Sequence, residues 1–288
     1  FLRFPPSEIK SNQDISRGNH ESLTFQMSRY EESLLTFGTL YRSELATIRE
    51  YRCCAARGGP QQEEQADANS LVFLSRGSFC KHVGRHAVVA DVNQVAFFSK
   101  ERSYRVSHAT DCGDSGLIVS LAPNWLCEIV ATHDPSVADR PDAPFPFLTG
   151  PCDRSLFRQH RALSNLLARR GSVAPFNLSI EVACGGLATR PLSAAFARSG
   201  IDQNPRRQHS RVDRREQIEA AKLWMSSRLG ENIELSDIAR VAELSPFHFS
   251  RLFRKVTGLS PHRYLVLLRL RTALQRIEDG ATNLSHLA

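Results

Sequence analysis

Between Ser245 and Gly258 four side chains fall on one side of a helical repeat: Phe247, Ser250, Arg251 and Arg254. Arg can donate a bidentate pair of hydrogen bonds to guanine, Ser can bond a base edge or a phosphate, and an aromatic ring can rest on a thymine methyl. The chemistry these types share is recognition of a polyanion's surface rather than bond making. The other side of the same repeat carries Phe249, Leu252, Phe253 and Val256, spaced i, i+3, i+4 and i+7 as a buried stripe requires. An isolated basic helix face is more often simply solvated. The decision between the two readings rests on the neighbouring elements.

Those neighbours are well punctuated. Ser245 offers a hydroxyl N-cap, Pro246 stands at the first helical position where a missing N–H is harmless, and Gly258 follows the last periodic residue. Upstream, Ser236 is expected to cap a short helix over 237–242 that turns Ile238, Val241 and Ala242 inward, with Glu243-Leu244-Ser245 as the connection. Before it, Ile218, Ala221, Met225 and Leu229 predict an amphipathic helix over 214–229, stopped by Gly230. Downstream, Ser260 caps a helix over 261–278 with Leu267, Leu270, Leu274 and Ile277 on one stripe, and Gly280 ends it.

The segment LSDIARVAELSPFHFSRLFRKVTGLSPHRYL, residues 235–265, resembles the first helix-turn-helix of AraC/XylS regulators. The resemblance rests on Ile238-Ala239, Ser245, Phe253 with Lys255, Gly258, Ser260-Pro261 and Tyr264. It implies a sequence-specific DNA-binding transcription regulator whose reader occupies 206–288 and whose partner is double-stranded promoter or operator DNA. It places Phe247, Ser250 and Arg251 at base-contacting positions, with Arg254, Ser245 and Lys255 as further DNA contacts. RNA polymerase and a second copy of the chain join the expected partners.

The family's reader has two such motifs bridged by a long helix. Here Leu284-Ser285-His286-Leu287-Ala288 echoes Leu235-Ser236-Asp237-Ile238-Ala239, and the sequence stops there. It also begins without Met. It therefore reads as a fragment at both ends, with one recognition helix in place of two, and weak, salt-sensitive DNA binding is expected of it.

Ahead of the reader, LVFL, HAVVA, QVAFF, YRV and GLIVSL are short apolar runs separated by turn residues, which predicts antiparallel strands in a small barrel. Ser75-Arg76-Gly77 and Val83-Gly84-Arg85 read as hairpin connections, and Asp111-Cys112-Gly113-Asp114 as another turn. Residues 70–108 resemble the cupin-like sensor domain found in many AraC-type proteins. The fold class expected is α+β: a cupin-like β-barrel over 46–150, a helical or linker region over 151–205, and the all-α reader. Residues 1–45 stay unassigned, although SLTFQMS at 22–28 has the character of a strand. Within 151–205, Leu156, Leu163, Leu166 and Leu167 suggest one helix and 178–192 a second, weakened by Gly185-Gly186. The polar, basic stretch 200–215 reads as a linker.

A barrel of this kind suggests a small-molecule effector in a pocket lined by Phe73, Phe79, Phe97 or Tyr104, with Arg105 or His108 orienting a polar group; as single residues the aromatics are equally at home in a plain core. A metal site on Cys80 and His82, with Cys53 or Cys54, competes with the simpler fact that residues two apart on a strand share a face. With no His-x-His pair, neither a metal nor a cofactor is expected, and no catalytic residue stands out.

Composition agrees with this outline. The 288 residues carry a net charge of +7, favouring a polyanionic partner, and the seven cysteines form no Cys-x-x-Cys pair. No apolar run is long enough to span a bilayer, and FLRFPPSEIK lacks a signal-peptide core, so a cytoplasmic protein with no membrane partner is expected. Two alternatives compete. A cupin-type enzyme would need a clustered acid-base or metal site, and a regulator without DNA reading would dimerise with intact copies or bind effector.

Overall fold

The computed structural model describes residues 35–58, 62–100, 102–108, 110, 113–169, 177–199, 208–278 and 280. The expected strand at 22–28 and the echo at 284–288 lie outside these residues. The class is α+β, with antiparallel sheets in the first half and helices in the second.

Among the described residues nine strands form two sheets. β1 (Leu35–Arg42), β2 (Ala46–Cys53), β3 (Ser70–Arg76), β6 (Gln94–Phe98), β8 (Asp114–Leu121) and β9 (Thr149–Pro151) form a six-stranded sheet ordered β1-β2-β8-β3-β6-β9. β4 (Ser78–Val83), β5 (His86–Asp91) and β7 (Arg105–Ser107) form a three-stranded sheet ordered β5-β4-β7. Both share one apolar core that includes Ile48, Leu71, Phe73, Phe79, Val95 and Phe97. Gly84-Arg85 closes a true hairpin, since Val83 pairs with His86 and Gly84 takes φ 55°. Ser75-Arg76-Gly77 does not: β3 and β4 lie in different sheets, so this turn carries the chain from one to the other. Gly77 is required there, because at φ 76° a Cβ would stand 2.3 Å from the carbonyl oxygen of Gly113.

Strands β1 and β2 were not predicted as strands. β2 pairs with β8 over its whole length and supplies Tyr51 and Cys53 to the interior. Helix α1 (Pro123–Ala131) was missed as well, although Pro123 at its start and Leu126 and Val130 one turn apart were visible signals.

Helix α2 (Arg154–Arg169) buries Leu156 and Leu163 and leaves Leu166 exposed. Helix α3 (Asn177–Ser199) runs straight through Gly185-Gly186. A Cβ at Gly185 would lie 2.8 Å from the Trp125 ring, so this glycine admits α1 against α3 rather than breaking the helix.

The last four helices are α4 (Gln208–Ser226), α5 (Leu235–Val241), α6 (Pro246–Thr257) and α7 (Pro261–Glu278). α4 begins inside the stretch expected to be linker, six residues before the predicted start, and buries Ile218, Ala221 and Met225. On α7 the expected stripe is not the buried face. Leu270, Leu274 and Ile277 are exposed, whereas Tyr264, Leu265, Leu268 and Arg271 are buried. Leucine spacing picked the wrong side because the inward face also holds a tyrosine and an arginine, whose polar tips meet partners at the end of β5 and in the connections beside the strands.

Those partners join the helices to the β region. β5 is an edge strand, and Val89 on it donates its N–H to Glu219 Oε2 and accepts from Lys222 Nζ, both at 2.7 Å. Glu219 and Lys222 also pair with each other at 2.8 Å, fully out of water. Two α4 side chains thus satisfy an edge that would otherwise leave polar backbone unpaired. At the end of β5, Asp91 accepts from the Tyr264 hydroxyl at 2.5 Å, and in the turn that follows Asn93 donates to the Tyr264 carbonyl at 3.1 Å. Arg271 donates to the carbonyls of Val92 and Cys152 and to the Asn93 side chain.

Candidate nucleic-acid interface and cavity

Helices α5 and α6 are built from local signals. The cap of α5 is Glu234, two residues earlier than the expected Ser236. Asp237, at the third helical position, reaches back to accept the Glu234 N–H at 3.4 Å, an arrangement that needs no serine. The turn between the helices places Glu243 at φ 55°, an unusual conformation for a residue with a side chain, and the Leu244 N–H donates back to the Ala239 carbonyl at 3.0 Å. α6 is capped by Ser245, whose hydroxyl accepts from the His248 N–H, and ends at Gly258 with φ 81°.

Phe249 and Phe253 are fully buried, 5.3 Å apart, and Phe253 meets Tyr264 edge-on at 5.2 Å. This anchors one side of α6 and presents the other. Phe247 is 68% exposed, Arg251, Arg254 and Lys255 are exposed, Ser250 is partly so, and Ser245 lies at the exposed start of the helix. The Arg251 guanidinium lies 5.8 Å from the centre of the Phe247 ring, one helical turn away. Phe247 thus presents an aromatic ring to water beside the Arg251 guanidinium.

The second site is a cavity of about 360 Å³ in the β region. Its walls include Tyr51, Val72, Phe79, Phe98, Tyr104 and Ile118. Of the residues expected to line a pocket, Phe79, Tyr104 and His108 do. Phe73 and Phe97 do not. Phe73 stacks on His160 of α2 at 5.3 Å, and Phe97 on Phe145 at 5.1 Å. The alternation of a strand puts Val72 and Phe98 on the cavity side and sends their neighbours to the opposite face. Arg105 is exposed on β7 and does not line the cavity.

At one part of this wall three titratable groups meet. Cys53 and Asp114 are direct cross-strand partners in the β2–β8 ladder. His108, held by backbone pairing with Gly58, brings Nε2 to 2.8 Å from Asp114 Oδ2 and 3.6 Å from Cys53 Sγ. The Tyr51 hydroxyl donates to Asp114 Oδ1 at 2.7 Å. Gly113, at φ 61°, lets the chain approach: a Cβ there would stand 2.1 Å from the Cys53 carbonyl oxygen. Burial alone would lower the His108 pKa, but hydrogen bonds to Asp114 and Cys53 outweigh it and push it up to about 9. Burial raises the Tyr51 hydroxyl well above its ordinary range, with the charge of Asp114 acting in the same direction. Cys53 and Asp114 also line a second cavity of about 420 Å³, with Arg76 and with Gln275 of α7.

Cys80 and His82 take no part in this cluster. Cys80 is buried, with its thiol pushed up to about 12 mainly by burial, and His82 Nε2 lies 2.8 Å from Ser107 Oγ. No helix among the described residues is long and apolar enough to cross a membrane.

Residues 225–265 match the family described as bacterial regulatory helix-turn-helix proteins, AraC family, so the chain carries an AraC-family helix-turn-helix built on α5 and α6. An uncharacterized HTH-type transcriptional regulator, YbfP of Bacillus subtilis (strain 168), is 44% identical over 50 residues, which span 17% of this chain and 17% of the relative. Among solved structures, ToxT from Vibrio cholerae overlaps 78% of this chain and 99% of its own at 10% identity and a TM-score of 0.32. A cupin superfamily protein from Desulfitobacterium hafniense DCB-2 overlaps 30% of this chain and 76% of its own at 14% identity and a TM-score of 0.25. Neither overall likeness extends to function.

Proposed function

We propose that this chain is a DNA-binding transcription regulator that reads base edges with the exposed face of α6. The observation that carries the reading is the pairing of a core-anchored side, Phe249 and Phe253, with a presented side of Phe247, Ser250, Arg251 and Arg254 in a helix capped at both ends. Seated in a major groove, Arg251 would reach a guanine, Phe247 a thymine methyl, and Ser245, Arg254 and Lys255 the phosphates. The partner is double-stranded DNA, and the workplace is the cytoplasm.

The reader is regulated by a small molecule in the β-region cavity. In support, α4 is joined to edge strand β5 by Glu219 and Lys222, and α7 to the following turn by Tyr264 and Arg271. A ligand that shifts these strands changes the contacts that hold the reader helices, which gives it a differential free energy between two reader orientations. In this reading the front region senses and 206–288 binds DNA, with RNA polymerase and a second copy of the chain as the remaining partners.

Enzymatic turnover fits the cavity poorly. A nucleophilic relay needs its thiol and its carboxylate on different nitrogens of the histidine, and here both approach Nε2 of His108.

The test is selection from a random duplex pool, with binding followed by fluorescence anisotropy at low and moderate salt. Enrichment of one sequence motif, with affinity falling as salt rises, is expected. Binding no better than that of a basic control protein of similar charge would end the reading.

A further inference from the structure

The geometry points to a divalent metal site, of the zinc class, formed by Cys53 Sγ, His108 Nε2 and Asp114 Oδ2 in the cavity wall. These three atoms lie within 4.8 Å of one another, and all three residues line the cavity. Their convergence is more specific than proximity. Nε2 of His108 faces both the Cys53 sulfur, at 3.6 Å, and the Asp114 oxygen, at 2.8 Å. A ring nitrogen carries one proton or one lone pair, so it cannot serve two acceptors well. One cation between the three atoms satisfies them all.

The spacing fits. With Zn–S near 2.3 Å and Zn–N near 2.0–2.1 Å, a tetrahedral site separates sulfur from nitrogen by about 3.6 Å, and nitrogen from oxygen by about 3.4 Å. The first separation is already present. The second requires the His108–Asp114 pair to open by roughly half an ångström as the ion replaces the proton between them. On binding, the two positive charges of a divalent ion would be matched by a Cys53 thiolate and the Asp114 carboxylate.

The surroundings are those of a supported ligand set. Tyr51 donates to the other oxygen of Asp114 and fixes its orientation. The β2–β8 register places Cys53 opposite Asp114, and Gly113 removes the Cβ that would hold the two strands apart. Three protein ligands leave one position of a tetrahedron open, and the cavity is the free space beside it. Water, or an anionic donor atom of a cavity ligand, would complete the shell. A sequence search for metal sites could not find this group, because Cys53 and His108 are 55 positions apart and become neighbours only through the sheet.

The full chain, stripped of metal by dialysis against a chelator, is to be titrated with Zn²⁺ in competition with a chromophoric chelator, and with Co²⁺ followed by absorption. One equivalent of each is expected to bind, and Co²⁺ should give ligand-field bands together with a thiolate charge-transfer band. Cys53→Ser should abolish the charge-transfer band. Tyr51→Phe keeps all three ligands and should weaken Zn²⁺ about tenfold. Cys80→Ser should change neither readout. Zn²⁺ should raise the melting temperature of the parent chain and not that of folded Cys53→Ser, as binding to the native state alone requires. Absence of stoichiometric binding, or a charge-transfer band that survives Cys53→Ser, would overturn the proposal. Circular dichroism of each variant separates loss of the site from loss of the fold.

Discussion

Helix α6 and the cavity wall arrange their polar side chains in opposite ways. On α6 the arginines stand in water above two buried phenylalanines, so each side chain can be exchanged with little effect on the fold. In the β region and at its junction with the helices, Asp114, His108, Glu219, Lys222, Asp91 and Arg271 are all buried, and each depends on its neighbours to remain so. The lesson is that recognition and integrity are carried by different residues. Changes on α6 should alter what is bound, whereas changes at the junction should alter whether the chain holds together.

The sharpest way to break this contrast is at Lys222. Lys222→Met keeps the apolar stem but leaves Glu219 charged and buried beside an unpaired Val89 carbonyl. A loss of about 3–5 kcal/mol in unfolding free energy is expected. It should be measured by urea denaturation and compared with Arg254→Ala, which should move the midpoint barely at all. Equal losses for the two would dissolve the distinction.

A smaller effect is expected at His160. This imidazole lies between Phe73 and Phe157, and neither ring nitrogen has a hydrogen-bond partner. Burial, reinforced by the positive charges of Arg161 and Arg271, pushes its pKa down to about 3. The folded chain therefore resists a proton that the unfolded chain accepts near pH 6.5. The stabilisation is complete above that value and declines as pH falls toward 3. Between pH 7 and pH 5 the parent should lose about 2 kcal/mol more than His160→Leu does. Parallel pH profiles for the two proteins would show that His160 is not buried in its neutral form.

The smallest effect concerns the turn between α5 and α6. Glu243 at φ 55° occupies a conformation natural to glycine, but glycine also loses more entropy on folding. Glu243→Gly should therefore change stability by less than about 0.5 kcal/mol. A loss above about 1 kcal/mol would mean that the Glu243 side chain itself holds the turn.

The contrast also explains what was legible in the sequence. The ends of α6 follow from Ser245, Pro246 and Gly258, and its two faces from a repeat of four apolar residues, all within fourteen positions. The cavity depends on strand parity and long-range register. A shift of one residue exchanges Phe97 for Phe98 and Phe73 for Val72, and apolarity cannot tell such neighbours apart. β2 lacked a strong apolar run because its Arg49, Tyr51 and Cys53 face the cavity. On α7 the buried face includes Tyr264 and Arg271, so a leucine count pointed to the exposed side. The junction was hidden for the same reason: Glu219 and Lys222 are ordinary helix-surface residues until an edge strand is laid against them.

The most direct test of the central claim is base-pair discrimination by Arg251. The parent chain, Arg251→Ala and Arg190→Ala should be compared on the selected duplex and on its single-base-pair variants at fixed salt. Arg190 is an arginine of α3 engaged with Asp153, far in sequence from the reading helix. The expected result is that Arg251→Ala loses about 1–3 kcal/mol of preference at one position and keeps the parent's discrimination at the others, while Arg190→Ala keeps the parent's whole pattern. If Arg251→Ala retains full discrimination at every position, α6 does not read DNA through this residue, and the assignment of its exposed face fails.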